Sequence, residues 1–261
     1  MSSDIGKSLA LQYSKDGFVV VGTYRQEKSI ADICGTPNIH FLQCDISDKE
    51  NMKMVVQEYK TIHDPWDIFI SCVGTMEPIG NFFTCDFDTW EHSIRDNSTA
   101  QLRFLHEIYV HHRKGVSPSD VVFIAGGSVN GTFKNYSAYC ASKILLLKMC
   151  ELLNDENDDL SVFSVGPGWV RTKLHNETLR NQKNAAQHYE KTLKFLEMNE
   201  GTNMEDIYKC INWCIQQGKK VVGGKNFSVV YDQWRDGGMA LSEQLLSDSN
   251  KFKLRRFKND E

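Results

Sequence analysis

The sequence predicts one α/β domain spanning residues 1–261, with a doubly wound parallel sheet. Short apolar, β-branched runs alternate with segments of helical periodicity, a pattern typical of parallel strands joined by crossover helices. Hydrophobic residues make up 41% of the chain and charged residues 25%, which are ordinary values for a globular protein. A chain of 261 residues can bury a large core, and no repeat or low-complexity linker divides this one.

The elements follow one another in a regular order. Strands are expected at 18–21, 40–44, 68–72, 121–125, 160–165 and 227–230, where apolar runs end at glycine or polar residues. Helices are expected at 2–15, 49–59, 90–109, from 139 onwards, at 177–197 and at 204–216. Ser2, Ser3 and Asp4 are good N-cap residues, so the first helix is expected to begin there.

Charge and hydropathy argue against several classes of protein. The net charge is −4 and no basic run of the kind that binds nucleic acid is present, so no nucleic-acid partner is expected. No apolar stretch has the length of a membrane span, and the amino terminus lacks the character of a signal peptide. We therefore expect a cytoplasmic protein that does not associate with membranes.

The eight cysteines lie mostly inside apolar runs, which favours reduced core thiols. Cys210 and Cys214 share one face of a predicted helix, a spacing that can hold a metal ion. No histidine or further cysteine stands near them in the sequence. No metal is therefore expected.

The most informative motif is a tyrosine and a lysine four residues apart, Tyr139 and Lys143. On a helix this spacing places both side chains on one face. A phenol titrates at about pH 10, and a neighbouring ammonium favours the phenolate. Such a pair can pass a proton to or from an alcohol oxygen while hydride moves on carbon. The same spacing also occurs in ordinary amphipathic helices, so the motif needs context.

Three further features supply that context. A buried strand ends in a glycine–serine loop at 126–128, an asparagine stands at 97, and another strand is followed by the Pro-Gly-x-x-x-Thr segment at 167–172. In this combination the chain resembles a short-chain dehydrogenase/reductase of the single-domain kind, which implies a Rossmann-like fold. The resemblance runs from residue 2 to about residue 231.

The resemblance implies catalytic roles. Tyr139 would protonate the substrate carbonyl, and Lys143 would depress the pKa of Tyr139 and bind the nicotinamide ribose. Asn97 resembles the family's helix-break asparagine and would hold a water that links Lys143 to solvent, although it could also be a plain polar helix residue. The family's carbonyl-binding serine falls at Gly126 here, and Ser128, two residues later, is the candidate if the loop shifts.

The resemblance also implies a nicotinamide cofactor. The first amides of the first helix would face its pyrophosphate, because unpaired N–H groups and the helix dipole favour anions there. Asp45 would meet the adenine amino group, although it could equally be only a helix N-terminal residue. Gly74 keeps the last position of a loop that otherwise departs from the family pattern. The expected cofactor-binding residues are Ser3, Asp4, Ile5, Gly6, Arg25, Asp45, Ile46, Gly74, Tyr139, Lys143, Pro167, Gly168, Val170 and Thr172.

The residues after the strand at 18–21 bear on the choice of cofactor. NAD-preferring relatives carry an acidic residue about where Tyr24 stands, and no carboxylate is present here. Arg25 could pair with a 2′-phosphate through a charged, bidentate contact. NADP(H) is therefore expected in preference to NAD(H), unless Arg25 is only a solvated loop residue.

The amino terminus departs from the family. The first strand and the first turn glycines are absent, and Gly6 corresponds to the last glycine of that motif. The absent strand would lie between those at 18–21 and 68–72, so unpaired backbone groups should face a gap. Each unmet buried hydrogen bond costs about 1 to 3 kcal/mol. One hypothesis is that Met1 is a shortened or misassigned start, and the rival is a degenerate protein.

The substrate end is less informative. Residues 173–200, which we call the lid, would cover a small-molecule carbonyl or alcohol substrate, and many of them are polar. This favours a polar or sugar-like substrate, unless these side chains form only the solvent side of a lid helix. The family commonly forms homodimers or homotetramers through helices such as those at 90–109 and 139–153, and the same is expected here.

Three functions are compatible with the sequence. The first is an NAD(P)(H)-dependent oxidoreductase that interconverts a carbonyl and a secondary alcohol, favoured by Tyr139, Lys143, Asn97 and Thr172. The second is a catalytically impaired protein of this fold that binds a nucleotide or serves as a scaffold, favoured by Gly126 and the truncated cofactor loop. The third, a nucleotide-sugar epimerase or dehydratase, generally needs a longer C-terminal domain than 261 residues supply.

Overall fold

The computed structural model describes residues 1, 3–125, 129–198 and 200–256. Its strands are β1 (Val20–Tyr24), β2 (Ile39–Gln43), β3 (Ile68–Ser71), β4 (Ser119–Ile124), β5 (Leu160–Gly166) and β6 (Asn226–Ser228). Its α-helices are α1 (Asp4–Lys15), α2 (Lys49–Ile62), α3 (Phe87–Ile94), α4 (Ala100–Ile108), α5 (Ser137–Glu156), α6 (His175–Arg180), α7 (Gln182–Ala185), α8 (Gln187–Glu197), α9 (Met204–Gln217), α10 (Lys219–Val222) and α11 (Met239–Ser247).

All strand pairs are parallel, which confirms the predicted fold class. β1 pairs with β2, and β3, β4, β5 and β6 follow one another in a second sheet. Alternate residues of β4 face opposite sides, as the period of a strand requires. Val121 and Phe123 pack in one cluster with residues of α4 and α5, while Val122 and Ile124 pack in the other with residues of α9. Helices therefore cover both faces of the larger sheet.

The two sheets are separated where the sequence predicts a missing strand. Within the described residues, β1 pairs only with β2 and β3 pairs only with β4, so the facing edges of β1 and β3 have no strand partner. A cavity of about 1750 Å³ extends between them and is lined there by Val20, Val21, Ile68 and Ile70. Among the described residues, no strand therefore lies between β1 and β3.

Met1 lies at one end of this gap. Its ammonium group donates a hydrogen bond to the backbone carbonyl of Thr23, near the carboxyl end of β1. Its side chain lies against Gly22, where an added Cβ would come within 2.0 to 2.6 Å of the Met1 side chain. Burial lowers the pKa of the Met1 ammonium. The first residue therefore fills part of the space beside β1 before the chain enters α1.

The ends of several elements differ from the predictions. β1 begins at Val20 rather than 18, because Phe18 belongs to the end of α1: its N–H donates to the carbonyl of Tyr13 at 3.0 Å, and its ring packs on Tyr13. Gly17, at φ +86°, makes this left-handed turn possible. The helix predicted at 90–109 is divided by a π-helical turn, and that predicted at 177–197 is three short helices. α11 was not predicted.

The structure also bears on the predictions about the cysteines, a metal site and the membrane. Within the described residues the eight cysteines form no disulfide, and Cys44, Cys150, Cys210 and Cys214 are buried. The described residues contain no cluster of three or more His, Cys, Asp or Glu side chains suited to a metal ion. Among the helices of the described residues, none combines the length and the apolar character needed to cross a bilayer.

The gap predicts that a strand supplied to it should stabilise the protein. We expect five alternating Val and Ile residues, fused ahead of Met1, to pair with β1 and β3, because Met1 already lies beside the end of β1. Each strand hydrogen bond contributes about 1 kcal/mol net, and 1 kcal/mol raises the Tm of a chain of this size by about 2 to 4 °C. Thermal unfolding should therefore show a Tm at least about 5 °C higher. A Gly-Ser extension of equal length is the control, and equal Tm values for the two extensions would contradict pairing.

Candidate active site

Tyr139 and Lys143 lie near the start of α5 and line the large cavity. The Lys143 ammonium nitrogen is 5.8 Å from the centre of the Tyr139 ring. The two side chains therefore share one helical face, as their spacing predicts.

Lys143 is held where β3 and β4 end. Its Nζ donates hydrogen bonds to the backbone carbonyls of Val73, at 3.0 Å, and Ile124, at 3.2 Å. The residue is only 3% exposed, and this burial lowers its pKa to about 8. The carbonyls fix the ammonium beside Tyr139, but they do not neutralise its charge.

Tyr139 has a higher pKa than the motif alone suggests. The residue is 8% exposed, and burial raises its pKa to about 12, with smaller contributions from Cys140 and Glu177. The sequence predicts that Lys143 depresses this pKa, and the net shift has the opposite direction. The reason is that desolvation of the phenolate outweighs the attraction of the ammonium.

Asn97 lies in the π-helical turn Arg95–Thr99, which separates α3 from α4. Its side chain is fully buried, and its Oδ1 accepts from the N–H of Thr75 at 2.8 Å while its Nδ2 donates to the carbonyl of Thr75 at 2.9 Å. Nδ2 also donates to Ser93 Oγ at 3.1 Å. Asn97 is thus more than a polar helix residue, because it holds the loop after β3 in place. Its proposed contact with a water stays a prediction.

Gly74 lies between Asn97 and Lys143. A Cβ placed on Gly74 would lie 3.7 Å from Asn97 Oδ1 and 3.7 Å from Lys143 Nζ. The predicted residue is therefore at the centre of the site, although its contact with a cofactor is untested.

Two residues that the sequence analysis missed support this loop. Gln101 donates through Nε2 to the backbone carbonyl of Asn97 at 2.7 Å, and Ser71 Oγ donates to Gln101 Oε1 at 2.6 Å. All three side chains are buried. Gln101 stands four residues after Asn97 on a helix face that is otherwise apolar. A polar residue at that position is the feature of the sequence that could have indicated its supporting role. Ser71 stands in the segment that departs from the family pattern, so the departure has a structural role.

The segment after β5 contains four of the expected cofactor-binding residues, and their contact with a nicotinamide stays a prediction. Gly168 has φ +75°, and a Cβ there would lie 2.6 Å from Val230 Cγ2 and 2.7 Å from Thr202 Oγ1, so only glycine fits. Pro167 and Thr172 also line the cavity. The carbonyl of Val170 accepts a hydrogen bond from His175 Nε2 at 2.9 Å, so this carbonyl is already engaged.

The start of α1 is less suited to a pyrophosphate than its sequence suggests. The N-cap Ser3 accepts from the N–H of Gly6 at 3.1 Å, which satisfies one of the amides expected to face the phosphates. Asp4 accepts from the backbone N–H of Lys173 at 2.6 Å, so a carboxylate lies at this helix end. The amide of Ile5 carries no such side-chain cap, and Ile5 lines the cavity.

The residues expected near the adenine lie after β1 and β2. Arg25 is exposed, and its charge lies close enough to Asp45 to favour the carboxylate. Burial opposes ionisation of Asp45, but hydrogen bonds from Ser47 outweigh it and hold the pKa of Asp45 below its usual value. Ile46 is half-buried and packs against the core cluster that contains α2.

Ser128, predicted to contact the substrate carbonyl, lies outside the described residues, as does Gly126. The structure therefore leaves that prediction untested.

Among the polar residues of the lid named here, His175 and Arg180 line the large cavity. His175 is buried and stacks on Trp169 at 5.5 Å, so it is part of the packing. Asn181 is half-buried. The exposed members are Asn176, Arg180, Gln182, Lys183, Asn184 and Gln187. Apart from Arg180, these exposed side chains lie outside the lining of the large cavity, and a polar or sugar-like substrate stays a prediction.

Other side chains form the inner wall at this end. Phe133 stacks on Tyr136 at 4.1 Å, and the Tyr136 hydroxyl is 3.0 Å from Thr178 Oγ1. His188 is buried against both rings, and its Nε2 has no hydrogen-bond partner among the described residues. Glu177 lines the same cavity. The wall therefore combines aromatic surface with a few polar groups, as ligand sites commonly do.

The burial of Lys143 predicts a pH dependence of stability. Its pKa is about 8 in the folded protein against an ordinary 10.5, so the unfolded chain binds more protons between these values and stability rises with pH there. The free energy of unfolding of the wild type, minus that of Lys143→Met, should rise by about 2 to 3 kcal/mol between about pH 7 and pH 10. Urea denaturation at several pH values measures this. Taking the difference removes other titrating groups, and a difference that is constant with pH would contradict the burial of a charged Lys143.

The chain is similar to several known proteins. The uncharacterized oxidoreductase YIR035C of Saccharomyces cerevisiae is 25% identical over 211 residues, which cover 79% of this chain and 82% of that protein. Its crystal structure aligns with a TM-score of 0.78 at 22% identity over 93% of this chain and 95% of that one. An NAD-dependent glycerol dehydrogenase of Listeria innocua is 22% identical over 92% of this chain and 91% of its own.

A further solved structure is an actinorhodin polyketide ketoreductase with NADPH, which aligns with a TM-score of 0.75 at 17% identity over 87% of this chain and 92% of that one. At these identities the structures show a shared fold. The family model described as Enoyl-(Acyl carrier protein) reductase matches residues 1–239, nearly the whole chain. With the oxidoreductase relatives and the parallel sheets, this match shows that the chain belongs to the short-chain dehydrogenase/reductase family.

Proposed function

We propose that this protein is an NADP(H)-dependent oxidoreductase that interconverts a carbonyl compound and a secondary alcohol. The observation that carries the proposal is the placement of Tyr139 and Lys143 on one face of α5, in the wall of a large cavity. The loop held by Asn97 lies next to them. These residues provide a proton donor, a cation and a rigid support in one place.

The electrostatics favour reduction at neutral pH. Because the pKa of Tyr139 is about 12 through burial, its phenol is protonated at pH 7 and can donate to a carbonyl oxygen. Oxidation of an alcohol needs the phenolate, so that direction should gain rate as the pH rises. Lys143 stays close enough to stabilise the phenolate left after proton transfer.

The cavity can hold a dinucleotide along the ends of the strands. A nicotinamide cofactor, when bound, supplies or accepts the hydride. Gly74, Lys143 and Thr172 line the end near Tyr139, and Arg25 and Asp45 line the other end. The exposed Arg25, with no carboxylate in place of Tyr24, supports a 2′-phosphate and hence NADP(H). The similar proteins include one solved with NADPH and one named as NAD-dependent, so they do not distinguish the two cofactors. The proposed preference for NADP(H) therefore rests on Arg25.

The inner wall supports a carbonyl substrate with polar substituents, which includes sugar-like compounds. Thr178 and His188 offer hydrogen bonds to such groups, while Phe133 offers an aromatic face. A cytoplasmic location and a homodimer or homotetramer stay predictions.

A second candidate is a protein of this family that is catalytically impaired. The Asp4 carboxylate at the start of α1 and the gap between β1 and β3 favour it, because both weaken the expected phosphate site. Measured cofactor affinity separates the two candidates.

Arg25 is expected to give the protein its preference for NADPH over NADH. Calorimetric titration of the wild type should show NADPH binding more tightly than NADH, and Arg25→Ala should weaken NADPH binding by about 10- to 100-fold, about 1.4 to 2.8 kcal/mol. NADH binding should change by less than about twofold. Lys28→Ala, which removes an exposed cation nearby, is the matched control. Equal affinities for the two cofactors in the wild type would refute the Arg25 role, and no binding of either would favour the impaired protein.

Tyr139 is expected to be the proton donor in reduction. With NADPH and a panel of α-diketones, β-keto esters and aldoses, Tyr139→Phe should lower kcat by about 10² to 10⁴-fold, because the proton donor is lost. The Kd for NADPH should stay within about twofold of the wild type. Tyr109→Phe removes a hydroxyl that bonds to Asp159 away from the cavity, and it should keep wild-type activity. Wild-type turnover in Tyr139→Phe would exclude the assigned role.

A further inference from the structure

Glu177 connects the lid to the loop that follows β3. Its Oε2 accepts hydrogen bonds from the backbone N–H of Met76, at 2.6 Å, and from Thr75 Oγ1, at 3.1 Å. Hydrogen bonds to an ionised carboxylate are roughly twice as strong as neutral ones. The carboxylate is partly buried, so solvent competes less for it. One acidic side chain of α6 thus binds two consecutive residues about 100 positions earlier in the chain.

The same loop residue is fixed from the other side. Asn97 binds both the N–H and the carbonyl of Thr75, at 2.8 and 2.9 Å. Thr75 therefore lies between the π-helical turn and the lid, with its backbone on Asn97 and its hydroxyl on Glu177. A displacement of α6 would act directly on the loop that borders Gly74 and Lys143.

The neighbouring contacts are weaker. Glu77 accepts from Asn181 Nδ2 at 3.2 Å and lies 3.7 Å from Arg180, but the Glu77 and Arg180 side chains are 43% and 66% exposed. Exposed pairs of this kind contribute about 0 to 1 kcal/mol. Thr178 Oγ1 is 3.5 Å from the sulfur of Met76, which is a weak acceptor. Glu177 is the strongest polar contact between α6 and the loop.

We propose that Glu177 is a positioning residue, which holds α6 against residues 75–77 and so keeps the substrate wall of the cavity closed beside Tyr139. The effects expected on KM and on the pH dependence of oxidation rest on the proposed function. The contact itself does not depend on it.

The charge of Glu177 has a second effect that can be separated from the first. Besides burial and Cys140, the carboxylate raises the pKa of Tyr139. Burial and, to a smaller extent, the charge of Glu77 in turn raise the pKa of Glu177, while the hydrogen bonds from Met76 and Thr75 oppose this. The charged and titratable groups around the pair are Glu77 on the loop, Cys140 and Lys143 on α5, and Arg180 on α6. Removal of the charge alone should therefore lower the pKa of Tyr139.

Three variants test the proposal. Glu177→Ala removes the contact and the charge, Glu177→Gln keeps a carbonyl oxygen that accepts from Met76 but removes the charge, and Thr75→Val removes one donor. Glu190→Gln, an exposed acidic residue of α8, is the matched control. Each variant is assayed with NADPH and the best carbonyl substrate of the wild type, and the reverse reaction is followed against pH.

We expect Glu177→Ala to raise KM for the carbonyl about tenfold or more, with kcat and the Kd for NADPH within about threefold of the wild type. Thr75→Val should raise KM by less. Glu177→Gln should restore KM to within about threefold, and its alcohol oxidation should gain rate at a lower pH than in the wild type. A purely structural role would not separate the two Glu177 variants in this way.

Amide hydrogen exchange provides a readout that needs no turnover. In the protein without substrate, the Met76 amide should exchange at least about tenfold faster in Glu177→Ala than in the wild type or Glu190→Gln. Wild-type exchange at Met76 together with unchanged KM in Glu177→Ala would overturn the proposal. If the wild type shows no turnover at all, the proposed function fails, and faster exchange at Met76 would still support the contact.

Discussion

In the part of the chain that the structure describes, no hydrogen-bonded strand lies between β1 and β3, and the rest of this structure depends on that constraint. A continuous sheet would fix the two halves through a ladder of backbone hydrogen bonds. Here α1 contributes several of the polar connections that hold the halves together. Tyr13 donates to Asn212 Oδ1 at 3.1 Å, Asp16 accepts from the Tyr208 hydroxyl, and Asp4 accepts from the N–H of Lys173 at 2.6 Å. α1 therefore binds α9 and the segment after β5, and its Leu9 and Tyr13 are buried in the same cluster as residues of β4 and α9.

Apolar packing provides the second connection. Leu42 and Cys44, in β2 and just after it, belong to the same buried cluster as Val121 and Phe123 of β4, with residues of α2 and α4 between them. Packing of this kind stabilises in proportion to the area removed from water and has little directional preference. It can hold two sheets together without fixing their register, whereas a shared strand would do both.

The sequence predicted what depends on local spacing and failed where distant residues decide. The Tyr139 and Lys143 pair and the order of parallel strands follow from periods of 3.6 and 2 residues, which are readable from the chain. The family resemblance implied the helix break at Asn97, but the contacts of Asn97 and Glu177 with Thr75 join residues that are 22 and 102 positions apart. The direction of the Tyr139 pKa shift also depends on burial, which the motif does not reveal. The lid shows the same limit, since its polar composition could not indicate that most of those residues are exposed.

The two ends of the proposed cofactor site belong to different sheets, and this has an energetic consequence. Arg25 and Asp45 follow β1 and β2, whereas Tyr139, Lys143 and Gly168 follow strands of the larger sheet. A dinucleotide that contacts both sets would bind only when the halves are docked, so its binding energy would also stabilise their arrangement. At a concentration of 100 times Kd this linkage contributes about 2.7 kcal/mol. Conversely, mobility between the sheets would lower the fraction of molecules that can bind the cofactor. The apparent affinity would then fall in proportion to that fraction. Cofactor affinity and the stability of the divided sheet are therefore one coupled property of this fold.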